Sequence, residues 1–393
     1  MPDAGSRPLR VGIVADLIEE QWPSMDLVAD MLAAHLPATL NGHRLEVELV
    51  RPTMPQRVRG LGRFVNRFWD YPRWLKAHSR GFDVFHVVDH SYAHVVHALP
   101  AERTVVTCHD VDAFLPVVAP ELSATKLPLA LTKHVLSGMR KAARVTCDSV
   151  ATYDEARHYS LLPEARMTVV PIGTREGFAP EPAPASDAAL AELIGPRDPS
   201  VVELLHVGSC IPRKRIDLLL RVFATIRQVE PRARLLKAGG TFTNEQRQLA
   251  ASLGVDTCVT QLPFLEAGQL GALYRRADVL LLTSEREGFG LPLVEAMACG
   301  TPVIATDLPV FRETGGQVAV FCAAGDLNAW RDAFDALRSE TPNRKARRHH
   351  QGVAQANRFS WPRFAAAMAQ IYGEVACAAS RPGTAPAAPV TER

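Results

Sequence analysis

The chain has 393 residues, of which 47% are hydrophobic and 22% charged, with a formal net charge of +2. That length exceeds one typical domain and suits two, the near-neutral charge argues against nucleic-acid partners, and no apolar run is long enough to span a bilayer. The first ten residues, MPDAGSRPLR, lack the apolar core of a signal peptide, and seven scattered cysteines with no CxxC pair read as reduced thiols, so a cytoplasmic protein is expected.

LRVGIVAD is a short apolar run ending in Asp16, the pattern of a buried parallel strand. WPSMDLVADMLAAHL follows with helical spacing, and Pro23 suits a first turn. RLEVELVRP, FDVFHVVD, RTVVTCHD, ARVTCDS and MTVVPIG read as further strands with helices between several of them. Residues 179–200, rich in Pro and Ala, read as a linker with one short helix. The alternation then restarts with VVELLHVGS, RARLLKAGG, DTCVTQLP, DVLLLTS, TPVIAT and VAVFCAAG. The expected fold class is α/β, with two doubly wound Rossmann-like domains facing a central cleft. The expected boundaries are 1–178, a linker at 179–200, 201–358, a final helix at 359–378 and a disordered tail at 379–393.

SEREGFGLPLVEAMACGTPVIAT, from Ser284 to Thr306, carries the most chemistry. DVLLLTS is a strand, REGFG a loop and LPLVEAMAC a helix. The loop therefore sits at a strand's carboxyl end and a helix's amino end, where free N–H groups and partial positive charge suit a phosphate. Glycines let a backbone approach an anion closely. Glu287 and Glu295, both expected to stay ionised, suit hydroxyl groups as acceptors. Together they describe a site for a nucleotide sugar. The alternative is a capped surface helix with incidental glutamates.

The run resembles the EGFGLPLVEAMACGTPVI segment of the retaining GT-B glycosyltransferases of family 4. HVGSCIPRKRIDLLL (206–220), TVVTCHD (104–110), MTVVPIG (167–173) and NRFSWPRFAAAMAQIY (357–372) resemble its other segments, in order, over most of the chain. The resemblance implies a GT-B fold whose last helix crosses back onto the first domain. It also implies transfer of a hexose from a nucleotide diphosphate sugar to a glycan, a lipid-linked sugar or a small molecule, with no cofactor and no bound metal. By motif position, Glu287 meets the donor sugar and Glu295 the ribose hydroxyls. Backbone N–H groups at Gly288, Phe289, Gly290 and Leu291 meet the sugar and diphosphate.

Gly208 and Lys214 resemble the family's phosphate contacts, with Lys214 stabilising charge on the leaving group. By composition alone Lys214 could equally be a surface lysine between Arg213 and Arg215. The family usually has an arginine directly after the glycine, where this chain has Ser209, and Arg213 or the Ser209 hydroxyl could substitute. His109 matches a histidine that positions the donor, and Asp110 follows it on the acceptor side. The Gly-Gly pair common after the first strand is missing here, so Asp16 and Trp22 are expected to line the acceptor side differently. His90, His94 and His97 have a spacing that could hold a metal, but a polar helix face is the preferred reading.

Residues 51–81 hold seven arginines and one lysine against a single acid, Asp70, with five aromatics interleaved. Such a helix packs its apolar face on the first domain and leaves its arginines solvated, or lies on an anionic membrane, which would make the protein peripheral at the inner face. Two rival functions are a nucleotide-sugar epimerase of the same architecture and a non-catalytic nucleotide-sugar-binding subunit. The paired glutamates argue against the first; Ser209 and the missing Gly-Gly pair give the second some footing.

Overall fold

The computed structural model describes residues 7–20, 22–40, 43–54, 61–123, 127–175 and 177–380. The chain divides into two compact units. One comprises 1–148, 153–170 and 362–393, and the other 149–152 and 171–361.

The first unit holds β1 (Leu9–Val14), β2 (Thr39–Leu40), β3 (His43–Val50), β4 (Val84–Val87), β5 (Thr104–Cys108), β6 (Arg144–Cys147) and β7 (Met167–Val169) in one sheet ordered β2-β3-β1-β4-β5-β6-β7. All pairs are parallel except β2 with β3. The central strands β1, β4, β5 and β6 are largely buried and read as mostly apolar runs, whereas β3 near the edge alternates in sequence, with Leu45 buried and Leu49 exposed. Val11, Ile13, Val84, Val105, Val106 and Val145 are fully buried. The final helix, Trp361–Ala379, packs its Tyr372 into this unit, where the hydroxyl meets Nδ1 of buried His86 at 2.7 Å.

Residues 51–81 do not form one regular helix. A π-helical turn, Asn66–Asp70, joins Leu61–Val65 to Tyr71–His78. Tyr71 and Leu75 are buried, and Phe68 and Trp74 pack against the core. Part of the apolar face is thus packed, as the first of the two readings has it, while Phe64 and Trp69 stay exposed. Its arginines are not all solvated, however. Arg67 donates to Glu20 at 2.9 Å and lies over the Tyr92 ring at 4.1 Å, and Arg51 donates to Asp26 at 2.5 Å. Val58 lies outside the described residues.

The second unit holds β8 (Glu203–Val207), β9 (Arg234–Ala238), β10 (Val259–Leu262), β11 (Val279–Leu282), β12 (Val303–Thr306) and β13 (Val320–Cys322), ordered β10-β9-β8-β11-β12-β13. Counted within the unit, this order is 3-2-1-4-5-6. The strand order reverses between β8 and β11, and ligands of such sheets bind beyond the carboxyl ends at that point. Within the segment read as a linker, the helix Pro184–Ile194 packs on the helix Ala267–Arg276, tied by Arg275 to Asp187 at 2.6 Å. The proposed tail from 381 onward lies outside the described residues, whereas Ala379 ends the last helix and Ser380 follows it.

Candidate active site

Two loops meet at the β8/β11 reversal. After β8 the chain turns through Gly208, Ser209 and the short 3-10 helix Pro212–Lys214, then enters the helix Ile216–Val229. After β11 it passes Thr283 and Ser284 to the loop before the helix Leu291–Ala298. Thr283 donates its hydroxyl to the carbonyl oxygens of Lys214 (3.1 Å) and Arg215 (3.2 Å), the Glu285 N–H donates to the Arg213 carbonyl (2.8 Å), and Arg213 returns a bond to the Arg286 carbonyl (2.9 Å). These bonds hold the cations of one loop against the acid of the other.

The acid is Glu287. One oxygen accepts from the Lys214 ammonium and from the Ser284 hydroxyl (2.7 Å), and the other accepts from Arg213 at 3.0 Å. Its side chain is 8% exposed. Burial alone would push this carboxyl up, but Lys214 and then Arg213 outweigh it and hold Glu287 below the usual range. The two expected cations and the expected acid therefore form one ion-paired cluster.

Glu295 lies inside the helix, buried, with the Tyr274 hydroxyl donating to Oε2 at 2.8 Å. Here burial wins over Tyr274 and Arg175, and the carboxyl is pushed up. The two glutamates, both expected to stay ionised, are thus shifted in opposite directions. Glu287 has cations in contact, whereas Glu295 has a neutral phenol.

Gly290 adopts φ +87°, and a Cβ there would meet the Phe311 ring at 2.7 Å, so the turn into the helix requires glycine. Phe289 is buried edge-on against Phe359 (5.3 Å), which leaves its backbone for any ligand contact. The Gly288 carbonyl accepts from Ser149 (2.7 Å) and Thr152 (3.1 Å), and Leu291 opens the helix. Below Gly208 lies His206, which binds the Leu281 carbonyl through Nδ1 at 2.9 Å and is held neutral, its pKa brought down to about 3 chiefly by burial and then by Lys237.

In the first unit, His109 ends β5 with both ring nitrogens against acceptors: Asp148 at Nδ1 (2.6 Å) and the Val88 carbonyl at Nε2 (2.6 Å). Both must donate, so the ring is an imidazolium. Burial opposes that charge, but Asp148 chiefly reverses it and raises the pKa to about 10. His109 is thus a fixed cation, and neither ring nitrogen has a lone pair for a base's work. Asp110 accepts from the Asp112 N–H at 3.0 Å and lies 3.5 Å from His90. Asp16 ends β1 and is buried with no N–H or O–H donor reaching it among the described residues. Burial, then the neighbouring Asp89, pushes its carboxyl well up. Trp22, by contrast, is 53% exposed at the start of the helix Pro23–His35.

The histidines 90, 94 and 97 lie on a 3-10 helix, His90–Ala98, not an α-helix. His94 is buried against the Arg67 carbonyl (2.8 Å), and His97 stacks on His134 (4.6 Å). They are packing groups, and among the described residues no three potential ligands converge as a metal site. Asp148, Tyr274, Ser284, His206 and Lys237 were not singled out from the sequence. Lys237 alone left a trace, as a charge inside the apolar run RARLLKAGG.

A family model described as Glycosyl transferases group 1 matches residues 196–351, and one described as Glycosyltransferase Family 4 matches residues 25–176. The chain belongs to the group 1 glycosyltransferases. A D-inositol 3-phosphate glycosyltransferase from Saccharomonospora viridis is 34% identical over 297 residues, covering 64% of this chain and 66% of the relative. The first curated relatives are covered over 46–66% of their own length, so this family member spans about half to two thirds of each. Sucrose-phosphate synthase from Thermosynechococcus elongatus superposes with a TM-score of 0.74 at 19% identity, over 95% of this chain and 100% of that one. Anabaena Alr3699/HepE in complex with UDP and glucose gives 0.71 at 17% identity, over 93% and 99%. At these identities the likeness concerns fold, and the fold of this group 1 glycosyltransferase is GT-B.

Proposed function

We propose that the protein is a retaining glycosyltransferase that moves a hexose from a nucleotide diphosphate sugar to an acceptor hydroxyl. The observation that carries this reading is the meeting of Lys214, Arg213 and Ser284 on Glu287 at the carboxyl edge of β8 and β11, beside a helix start. When the donor docks, its diphosphate takes the cations and its sugar hydroxyls take the carboxylate. Lys214 and Arg213 stabilise the charge that grows on the leaving phosphate. Glu295 accepts from the ribose hydroxyls.

Glu287 is a poor nucleophile here, because with the donor docked its oxygens are engaged by the sugar hydroxyls and by the Ser284 hydroxyl. Retention is better served by attack of the acceptor on the face the leaving group departs from. The acceptor oxygen bonds to the anomeric carbon, the bond to the phosphate oxygen breaks, and the acceptor's proton passes to that phosphate.

The acceptor class we favour is a neutral polyol. The curated relatives' name, with its inositol phosphate, supplies the contrasting candidate. Beyond the strand ends of the first unit, Asp89 and Asp110 each lie 3.5 Å from His90, and Arg67 is already held by Glu20. A phosphorylated acceptor would face Asp89 and Asp110 there, with Arg67 already engaged. Phe64 and Trp69 are exposed on the segment that also presents Arg63, Arg73 and Lys76, a surface that suits an anionic lipid and hence a lipid-linked acceptor. The test is product formation from a panel of donors with neutral, phosphorylated and lipid-linked acceptors. Turnover of a neutral acceptor that Glu287→Ala abolishes supports the reading. Conversion of the donor with no acceptor present would point to an epimerase instead.

A further inference from the structure

Lys237 stands fourth in β9, in a run whose other members Leu235, Leu236 and Ala238 are buried and apolar. The lysine is itself fully buried. Its ammonium donates to the carbonyl oxygens of Gly208 (2.5 Å), Gly239 (2.7 Å) and Gly240 (3.1 Å), with that of Ala238 at 3.3 Å. Among the described residues no carboxylate reaches it within ion-pair distance, and burial pulls its pKa below the ordinary lysine value. An ammonium buried among neutral acceptors is costly. A leucine here would avoid that cost, so the charge calls for an explanation beyond packing.

The geometry supplies one. Across a planar trans peptide the C=O and the following N–H point opposite ways. Carbonyl groups of 208, 239 and 240 drawn in toward the ammonium turn the N–H groups of Ser209, Gly240 and Thr241 outward. No acceptor among the described residues takes these three N–H groups. Successive outward N–H groups in a turn form an anion-binding concavity. Gly239 and Gly240 hold φ values of +92° and +100°, and a Cβ on Gly239 would lie 2.8 Å from the Gly208 carbonyl oxygen. The two turns touch, and only glycine permits it. Gly208 also sits beside Lys214, whose Cδ and Cε would each lie 3.7 Å from an added Cβ.

We propose that Lys237 is a positioning residue for the donor's diphosphate: it pins the Gly208 and Gly239–Gly240 turns with their N–H groups outward and places an uncompensated positive charge behind them. The proposal rests on the donor reading above. Lys237 touches neither sugar nor reacting atoms; it acts through the turns. It also supplies from the interior a charge that Ser209, in the turn itself, does not carry.

The experiment is calorimetric titration of the full-length protein with UDP and GDP, and with uridine and guanosine. Wild type is compared with Lys237→Met and with Lys237→Gln, which keeps a hydrogen-bond donor but no charge. The expected result is a loss of tenfold or more in diphosphate affinity while nucleoside affinity changes less than twofold. Equal losses for nucleotide and nucleoside, or no loss, in whichever variant folds would overturn the proposal. If neither variant unfolds cooperatively, Lys237 serves folding, which also overturns it. Failure of wild type to bind either nucleotide would instead remove the donor reading, and this assignment with it.

Discussion

Lys214 donates its ammonium to the same Glu287 carboxylate that Arg213 engages through the other oxygen at 3.0 Å, across a gap of more than seventy residues in the chain. The pairing means that the site's cations and its acid are mutually poised before any donor arrives. Residues acting as a unit are non-additive, with coupling of roughly 0.5–3 kcal/mol for groups in contact. Lys214→Ala and Glu287→Ala should each lower kcat/KM strongly. The double variant should lose far less than the product of the two factors. A double-mutant cycle on turnover checks this; strict additivity would mean that the pair does not act together.

Glu295 makes its contact with Tyr274 and not with a cation. Glu295→Ala should therefore raise donor KM more than it lowers kcat, as expected of a group that binds the donor equally before and during reaction. Tyr274→Phe leaves the buried carboxyl without its donor. It should cost about 1–3 kcal/mol of stability and weaken donor binding in the same direction. Steady-state kinetics of both variants, with a melting curve for each, tests the assignment.

His109 fixes a pH dependence. Its folded pKa, about 10, lies above the value near 6.5 expected for an unfolded histidine. The stability it contributes is therefore complete below about pH 6.5 and is lost as pH rises toward about 10. Asp148→Asn removes the main source of the raised value. Melting temperatures from pH 6 to 10 should fall for wild type over that window, and the variant should start lower and fall less. Parallel curves would show that the Asp148 pair does not hold the proton.

Gly290→Ala combines a Cβ at 2.7 Å from the Phe311 ring with a left-handed backbone. The loop must shift, and Glu287 shifts with it. Donor affinity should fall at least tenfold, with a smaller fall in melting temperature. Unchanged donor binding would show that the helix start tolerates displacement and does not serve the donor.

Most strands were legible because a parallel strand covered on both faces is largely apolar, and β3 was legible by its alternation. Each of the runs from LRVGIVAD to VAVFCAAG carries one. The two-residue β2, Thr39–Leu40, was not, since so short an edge strand has no pattern to show. His90, His94 and His97 have spacings that fit an α-helix, but they lie on a 3-10 helix with His90 and His94 buried and His97 exposed. Glu287 and Glu295 could be read because their spacing and glycines are local. Their opposite titration could not, because it depends on Lys214 and Arg213 from one loop and Tyr274 from another. Lys237 showed only as an oddity in a strand. Its partners include Gly208, almost thirty residues earlier, and no local pattern predicts that closure.

The most direct test of the central claim is calorimetric titration of wild type and Lys214→Ala with UDP- and GDP-linked hexoses. The account predicts that one donor binds wild type at micromolar concentration and that the variant binds it at least tenfold more weakly. Absence of binding by every donor, or equal binding by the variant, would contradict it.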